Sequence, residues 1–207
     1  MQEAKNLSRY REVLRGKILD VAMKRFAAQG IKAVRMDDIA SELNISKRTL
    51  YEIYENKETL LYEGIKVYKA RREEAFQRLQ VECENVMDIM LKIYHVKVDE
   101  FKLICSQFYS DLVKYPRVVE LLQETKKDQR QRSLDFMQRG VREGYFRSDI
   151  DLSLVASMFE SVAQFIVTNQ IYKNYSIEVI FRSIVFVSLR GICTRKGIDV
   201  LDTFINN

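Results

Sequence analysis

The stretch from residue 46 to residue 57 holds the densest set of side chains able to recognise an anion or the edge of a base: Ser46, Lys47, Arg48, Thr49, Tyr51, Tyr54 and Lys57. Read as a helix from Lys47 to Tyr54, Lys47, Arg48 and Tyr51 stand at i, i+1 and i+4 and share an outward side, with Thr49 and Glu52 at its edges. The chemistry this suggests is hydrogen bonding to duplex DNA. Arg48 can donate a bidentate pair to a guanine edge, and Lys47 can reach a base or a phosphate. Ser46 is placed as an N-cap, where the first free backbone amides of the helix offer an anion site. Tyr51 and Tyr54 carry hydroxyls on rigid rings that could clamp the backbone, and Lys57 does the same from the start of the next helix. Any one of these residues alone would pass for an ordinary surface polar group. Together on one face they point to DNA.

Such a face must be held by apolar residues behind it. Leu50 and Ile53 fall on the inner side of the 47–54 helix. A short helix from Met36 to Leu43 precedes it, with Ile39, Ala40 and Leu43 on one side, and Asn44-Ile45 makes the turn between the two. Leu14, Ile18, Val21, Ala22 and Phe26 give a helix of period 3.6 over residues 13–26, stopped by Gly30. Asn56 caps a fourth helix that runs without a breaker from Lys57 to about Leu79. Two short helices joined by a tight turn, after a longer one, form the helix-turn-helix arrangement, whose second member enters the roughly 12 Å wide major groove.

Beyond residue 80 the pattern stays helical, over 85–95, 98–114, 117–143, 151–172 and 176–195, for about nine helices in all. Composition agrees. The 207 residues contain seven Gly and one Pro, too few for an architecture of many short strands. The 34 Lys plus Arg against 29 Asp plus Glu leave a net charge of +5. The charged run from Glu124 to Arg132 reads as a solvated face.

Enzymatic chemistry is excluded by what is missing: one histidine, no metal-spaced Cys or His cluster, no phosphate-cradling glycine loop and no nucleophile elbow. No cofactor and no metal are expected. Cys83, Cys105 and Cys193 are odd in number and far apart, as in a reducing compartment. Residues 1–11 lack the apolar core of a secretory signal, and Glu160, Gln164 and Asn169 interrupt the apolar run 152–172, so a cytoplasmic protein with no membrane partner is expected.

The combination of Gly30, Ile39-Ala40, Ile45-Ser46-Lys47, Thr49-Leu50-Tyr51, Tyr54 and Lys57-Glu58 resembles the N-terminal signature of the TetR family of bacterial transcriptional regulators. The likeness covers about residues 13–61. It implies DNA-contacting roles for Lys47, Thr49, Tyr51, Tyr54 and Lys57, with Ser46 at the helix start. Four positions depart from the usual pattern. Arg35 replaces a helix-capping Ser or Thr and brings a cation within reach of a phosphate, and Asn44 replaces the turn glycine. Arg48 stands where glycine is common, and Ile53 where histidine is.

The resemblance also implies an all-α protein with a three-helix DNA-binding head, residues 1–60, and a helical bundle, residues 61–207, for ligand binding and dimerisation. A homodimer built from the last two long helices would read a palindromic operator, most often as a repressor released by a small-molecule inducer. A ligand-independent architectural DNA binder is the alternative. Val155, Phe159, Val162 and Ile166, with Ile184, Val187, Ser188 and Gly191, are the expected interface, since the apolar surface of these helices exceeds what one side of a helix in a monomer needs. Burial of both helices within the monomer stays open. Tyr94, His95, Phe101, Cys105, Phe108, Tyr109, Met137, Met158 and Gln164 could line a ligand pocket. They fit an ordinary core equally well.

Overall fold

The computed structural model describes residues 2–124 and 126–206, and the side chains of 9–122 and 130–206. The described residues form eleven helices: α1 (Gln2–Gln29), α2 (Met36–Glu42), α3 (Lys47–Ile53), α4 (Lys57–Glu82), α5 (Val86–Leu103), α6 (Ser106–Leu112), α7 (Pro116–Glu124), α8 (Lys126–Arg142), α9 (Leu152–Thr168), α10 over residues 177–192 with a π-turn at Phe181–Val185, and α11 (Arg195–Asn206). The all-α expectation holds. Two boundaries moved. The break expected near residue 96 lies at Ile104-Cys105, where the Cys105 N–H reaches back to the Ala27 carbonyl at 2.8 Å. The final helix was not foreseen. It begins because Cys193 turns extended and pairs with Phe146 in an isolated bridge, a contact between distant residues that no local pattern signals.

The chain divides into two compact units, one of Met1–Glu74 with Leu103–Glu124 and the other of Ala75–Lys102 with Thr125–Asn207. In the first, Leu14, Ile18, Ala22 and Phe26 descend one side of α1 at intervals of four and are buried, as the period requires. They meet Ile39 and Ala40 of α2, Leu50 of α3, Leu60, Leu61 and Ile65 of α4, and Phe108 and Val118 beyond. Gly30 ends α1 at φ +86°, a left-handed conformation that a side chain would strain. A Cβ there would also lie 2.7 Å from the Gln107 side chain. In the second unit, Val86, Met87, Phe146, Phe186, Leu189, Ile192, Cys193 and Leu201 form the core.

Candidate nucleic-acid interface

The recognition element is a seven-residue helix, about 10 Å long at 1.5 Å per residue. Ser46 starts it as foreseen: its Oγ accepts the Thr49 N–H at 3.0 Å and lies 2.8 Å from the Thr49 hydroxyl. Asn44 supplies the turn with φ +51°, in place of the usual glycine. Leu50, with no exposed surface, fixes the helix to the core, so its opposite side must face outward. Lys47, Arg48 and Tyr51 are exposed there together, Arg48 with 88% of its side chain free and Tyr51 at 48%.

Each of the two cations has a carboxylate partner. Lys47 Nζ donates to Asp37 Oδ2 of α2 at 2.6 Å, which raises the lysine pKa. Arg48 Nε donates to Glu52 Oε1 at 2.9 Å one turn on, and this hydrogen bond raises the arginine pKa. Glu52 is also approached by Arg11 of α1, at 3.8 Å from its other oxygen. Sequence reading placed Glu52 only at the edge of this face and did not single out Asp37 or Arg11. The i,i+4 spacing of Arg48 and Glu52 was the available signal for one of these pairs.

Two expected DNA contacts are corrected. Tyr54 is 1% exposed, and its hydroxyl donates to the Arg15 carbonyl at 3.3 Å. Burial raises its pKa, and the Arg15 guanidinium lies over the ring. It is a core tyrosine because α3 ends there, turning the residue four after Leu50 onto the same inner side. Lys57 is the second correction. Its ammonium has three N–H donors, and they go to the carbonyls of Ile31, Lys32 and Val34 at 3.0, 3.3 and 2.7 Å. Partial burial lowers its pKa. Lys57 therefore braces the turn between α1 and α2.

The same turn is held from below. Asp111 is fully buried and accepts the Lys32 N–H at 2.8 Å, Gln107 Nε2 at 2.9 Å and Lys114 Nζ at 3.0 Å. Burial pushes its pKa up, but these hydrogen bonds outweigh burial and keep it below the ordinary carboxylate value. Arg35 is exposed at the start of α2. A guanidinium has no acceptor with which to cap, and Asp38 compensates by accepting the Arg35 N–H at 2.8 Å.

The expected pocket residues divide between the two units. Cys105, Phe108 and Tyr109 pack in the core of the first unit. In the second unit, Tyr94 lies among Phe181, Phe186 and Phe204 with ring centroids 5.0–5.3 Å apart, Phe101 is partly buried and Met137 buried, while Met158 and Gln164 are exposed on α9. An open groove of about 430 Å³ in this unit is lined by Glu82, Cys83, Glu84, Asp88, Leu91, Lys92, His95 and Phe204. Of the expected residues, His95 alone borders it. Among the described residues no group of three or more His, Cys, Asp or Glu is placed to hold a metal.

Several residues of the expected interface face inward. Val155 and Phe159 pack into the core of the second unit, and Val162, Ile166, Ile184 and Ser188 are half-buried. The large exposed apolar side chains of α9 are instead Leu154, Met158, Phe165 and Val167, each one position from an expected residue. Val179, Val187 and Gly191 of α10 are exposed. The sequence of α9 is apolar on nearly every side, so its period could not fix which flank turns inward.

No helix of the described residues is long and apolar enough to cross a membrane. The sequence model of the bacterial regulatory proteins of the tetR family matches residues 18–63. The chain is 26% identical over 147 residues to the HTH-type transcriptional repressor KstR2 of Mycobacterium tuberculosis, covering 68% of this chain and 73% of that one. To KstR2 of Mycolicibacterium smegmatis it is 28% identical over 148 residues, covering 68% and 71%. Its fold is that of the Saccharomonospora viridis putative transcriptional regulator solved with choline, at TM-score 0.70 and 18% identity over 89% of this chain and all of that one. Residues 18–63, which present a helix-turn-helix through α2 and α3, match the bacterial regulatory proteins of the tetR family, and over two thirds of its length the chain is similar to HTH-type transcriptional repressors.

Proposed function

We propose that the chain binds a palindromic operator as a homodimer, represses transcription there, and is released when a small molecule occupies the body. The supporting observation is the two-sidedness of α3, with Leu50 wholly buried and Lys47, Arg48 and Tyr51 exposed on the other side. Arg48 reads a guanine, Lys47 and Tyr51 hold the backbone or a neighbouring base, and Ser46, Thr49 and Arg35 lie where they can meet phosphates. Residues 1–60 form the DNA-binding part and residues 61–207 the ligand and dimer part, all in the cytoplasm where the operator is.

Support for the homodimer comes from Leu154, Met158 and Phe165 of α9 with Val179 and Val187 of α10, apolar side chains that the chain itself leaves uncovered. A Cβ on Gly191 would meet nothing within 4 Å, so a partner helix has room to approach there. Two-fold pairing sets the heads to read half-sites about 34 Å apart. For the ligand, support is the choline held by a regulator of the same fold. The route from ligand to DNA is α4, which begins in the head and carries no glycine or proline after Gly64. A ligand preferring one tilt of α4 changes the spacing of the two heads.

The test is enrichment of a randomised duplex pool by the full chain, followed by nuclease footprinting on the enriched sequence. One short inverted repeat, protected over about two adjacent major grooves, is expected. Uniform protection without sequence preference contradicts operator binding and favours the architectural alternative.

A further inference from the structure

The carboxylate on the recognition helix has no assigned part in DNA binding, and a negative charge there needs a reason. Glu52 is exposed on the same helix as Arg48, one turn further along, and 44% of its side chain is free. Its Oε1 takes the Arg48 Nε hydrogen at 2.9 Å, and its Oε2 faces the Arg11 guanidinium at 3.8 Å. Lying between two guanidiniums of two helices, the carboxylate is more than neutralised locally. A lone carboxylate this close to phosphates would be repelled well inside the Debye length of about 8 Å at physiological ionic strength.

We infer that Glu52 is a specificity-determining residue that works in two ways. An arginine presents five donors in a rigid fork. Because Glu52 engages Nε, the terminal Nη1 and Nη2 groups of Arg48 are left free at the far end of the side chain, where they can reach guanine O6 and N7 together. Glu52 thereby positions Arg48 before DNA arrives. The ionised carboxylate is itself an acceptor only, so at the neighbouring base it rejects the acceptor edges of guanine and thymine and favours an amino group, that of cytosine over that of adenine because adenine sets the acceptor N7 beside its own. The pair reads two adjacent bases where Arg48 alone reads one.

This inference rests on α3 being the recognition helix, and the test separates the two. Randomised duplexes are enriched in parallel by the full parent chain, Glu52→Gln and Glu52→Asp, with affinity for a scrambled duplex measured for each. The parent is expected to enrich a guanine with an adjacent cytosine. Glu52→Gln should lose the cytosine preference and reduce guanine discrimination by about fivefold or more, the lower end for one bidentate pair, while binding scrambled duplex more tightly because a negative charge is gone. Glu52→Asp keeps the charge but loses the reach to Nε, so cytosine preference should survive better than guanine discrimination. A merely structural role would weaken both kinds of binding together. Identical preferences at identical margins in all three proteins would overturn the inference and leave α3 recognition standing; a parent that enriches no sequence would overturn both.

Discussion

The outward faces of α3 and α9 are both exposed, and they solve opposite problems. On α3 the exposed cations are already partnered, Lys47 by Asp37 and Arg48 by Glu52. On α9 the exposed Leu154, Met158 and Phe165 are apolar and have no cover. A surface that meets a polyanion can keep its cations partnered while free, since exposed ion pairs hold only weakly and leave the remaining donors to phosphates and bases. A surface that meets another protein gains most from what water does not solvate. Under the proposed function the two faces suit different partners, DNA for α3 and a second copy of the chain for α9.

The sharpest way to break the comparison is to undermine α3 from behind. Leu50→Ala removes a fully buried side chain and should cost about 2–5 kcal/mol of folding stability, read by urea unfolding with fluorescence or circular dichroism. A cost near zero would mean that the helix is not held by the core. On the other face, Val187→Arg should leave the monomer folded, because Val187 is 64% exposed. It should weaken self-association about a hundredfold or more, the order expected for burying an unpaired charge in an interface. Sedimentation velocity over a dilution series checks this, and unchanged association would move the interface elsewhere.

The brace beneath the head gives a smaller, pH-dependent effect. The folded pKa of Asp111 lies below its unfolded value of about 3.9. Its contribution is therefore fully present above that value and is lost as pH falls through the folded pKa. The urea midpoint of the parent should exceed that of Asp111→Asn at neutral pH, with the gap closing below about pH 4. The smallest effect separates two lysines by salt. Lys47→Ala should lower the slope of log affinity against log salt by about 0.9, one phosphate's worth, whereas Lys57→Ala should weaken binding with the slope unchanged. Equal slope losses would return Lys57 to the phosphate backbone.

The α2-turn-α3 unit was legible because its signals are local: Leu50 and Ile53 at helical spacing, Ser46 as a cap, Asn44 in a left-handed turn. What escaped was set by contacts distant in sequence. Tyr54 lies four residues after Leu50 and so on its inner side, but the acceptor for its hydroxyl, the Arg15 carbonyl, is 39 residues back. The Lys57 ammonium finds carbonyls 23 to 26 residues back, and Asp111 finds an amide 79 residues away. On α9 the failure was of another kind, since apolar residues on nearly every side left the inward flank undetermined by one position.

The central claim is that the polar side of α3 reads bases in the major groove. Dimethyl sulfate methylates guanine N7, an atom in that groove and one of the two acceptors assigned to Arg48. On the enriched duplex, the parent should protect one guanine in each half-site, and Arg48→Ala should leave those same guanines reactive while still binding, with affinity reduced about tenfold. Protection of the same guanines by both proteins, or of none by either, would contradict the account.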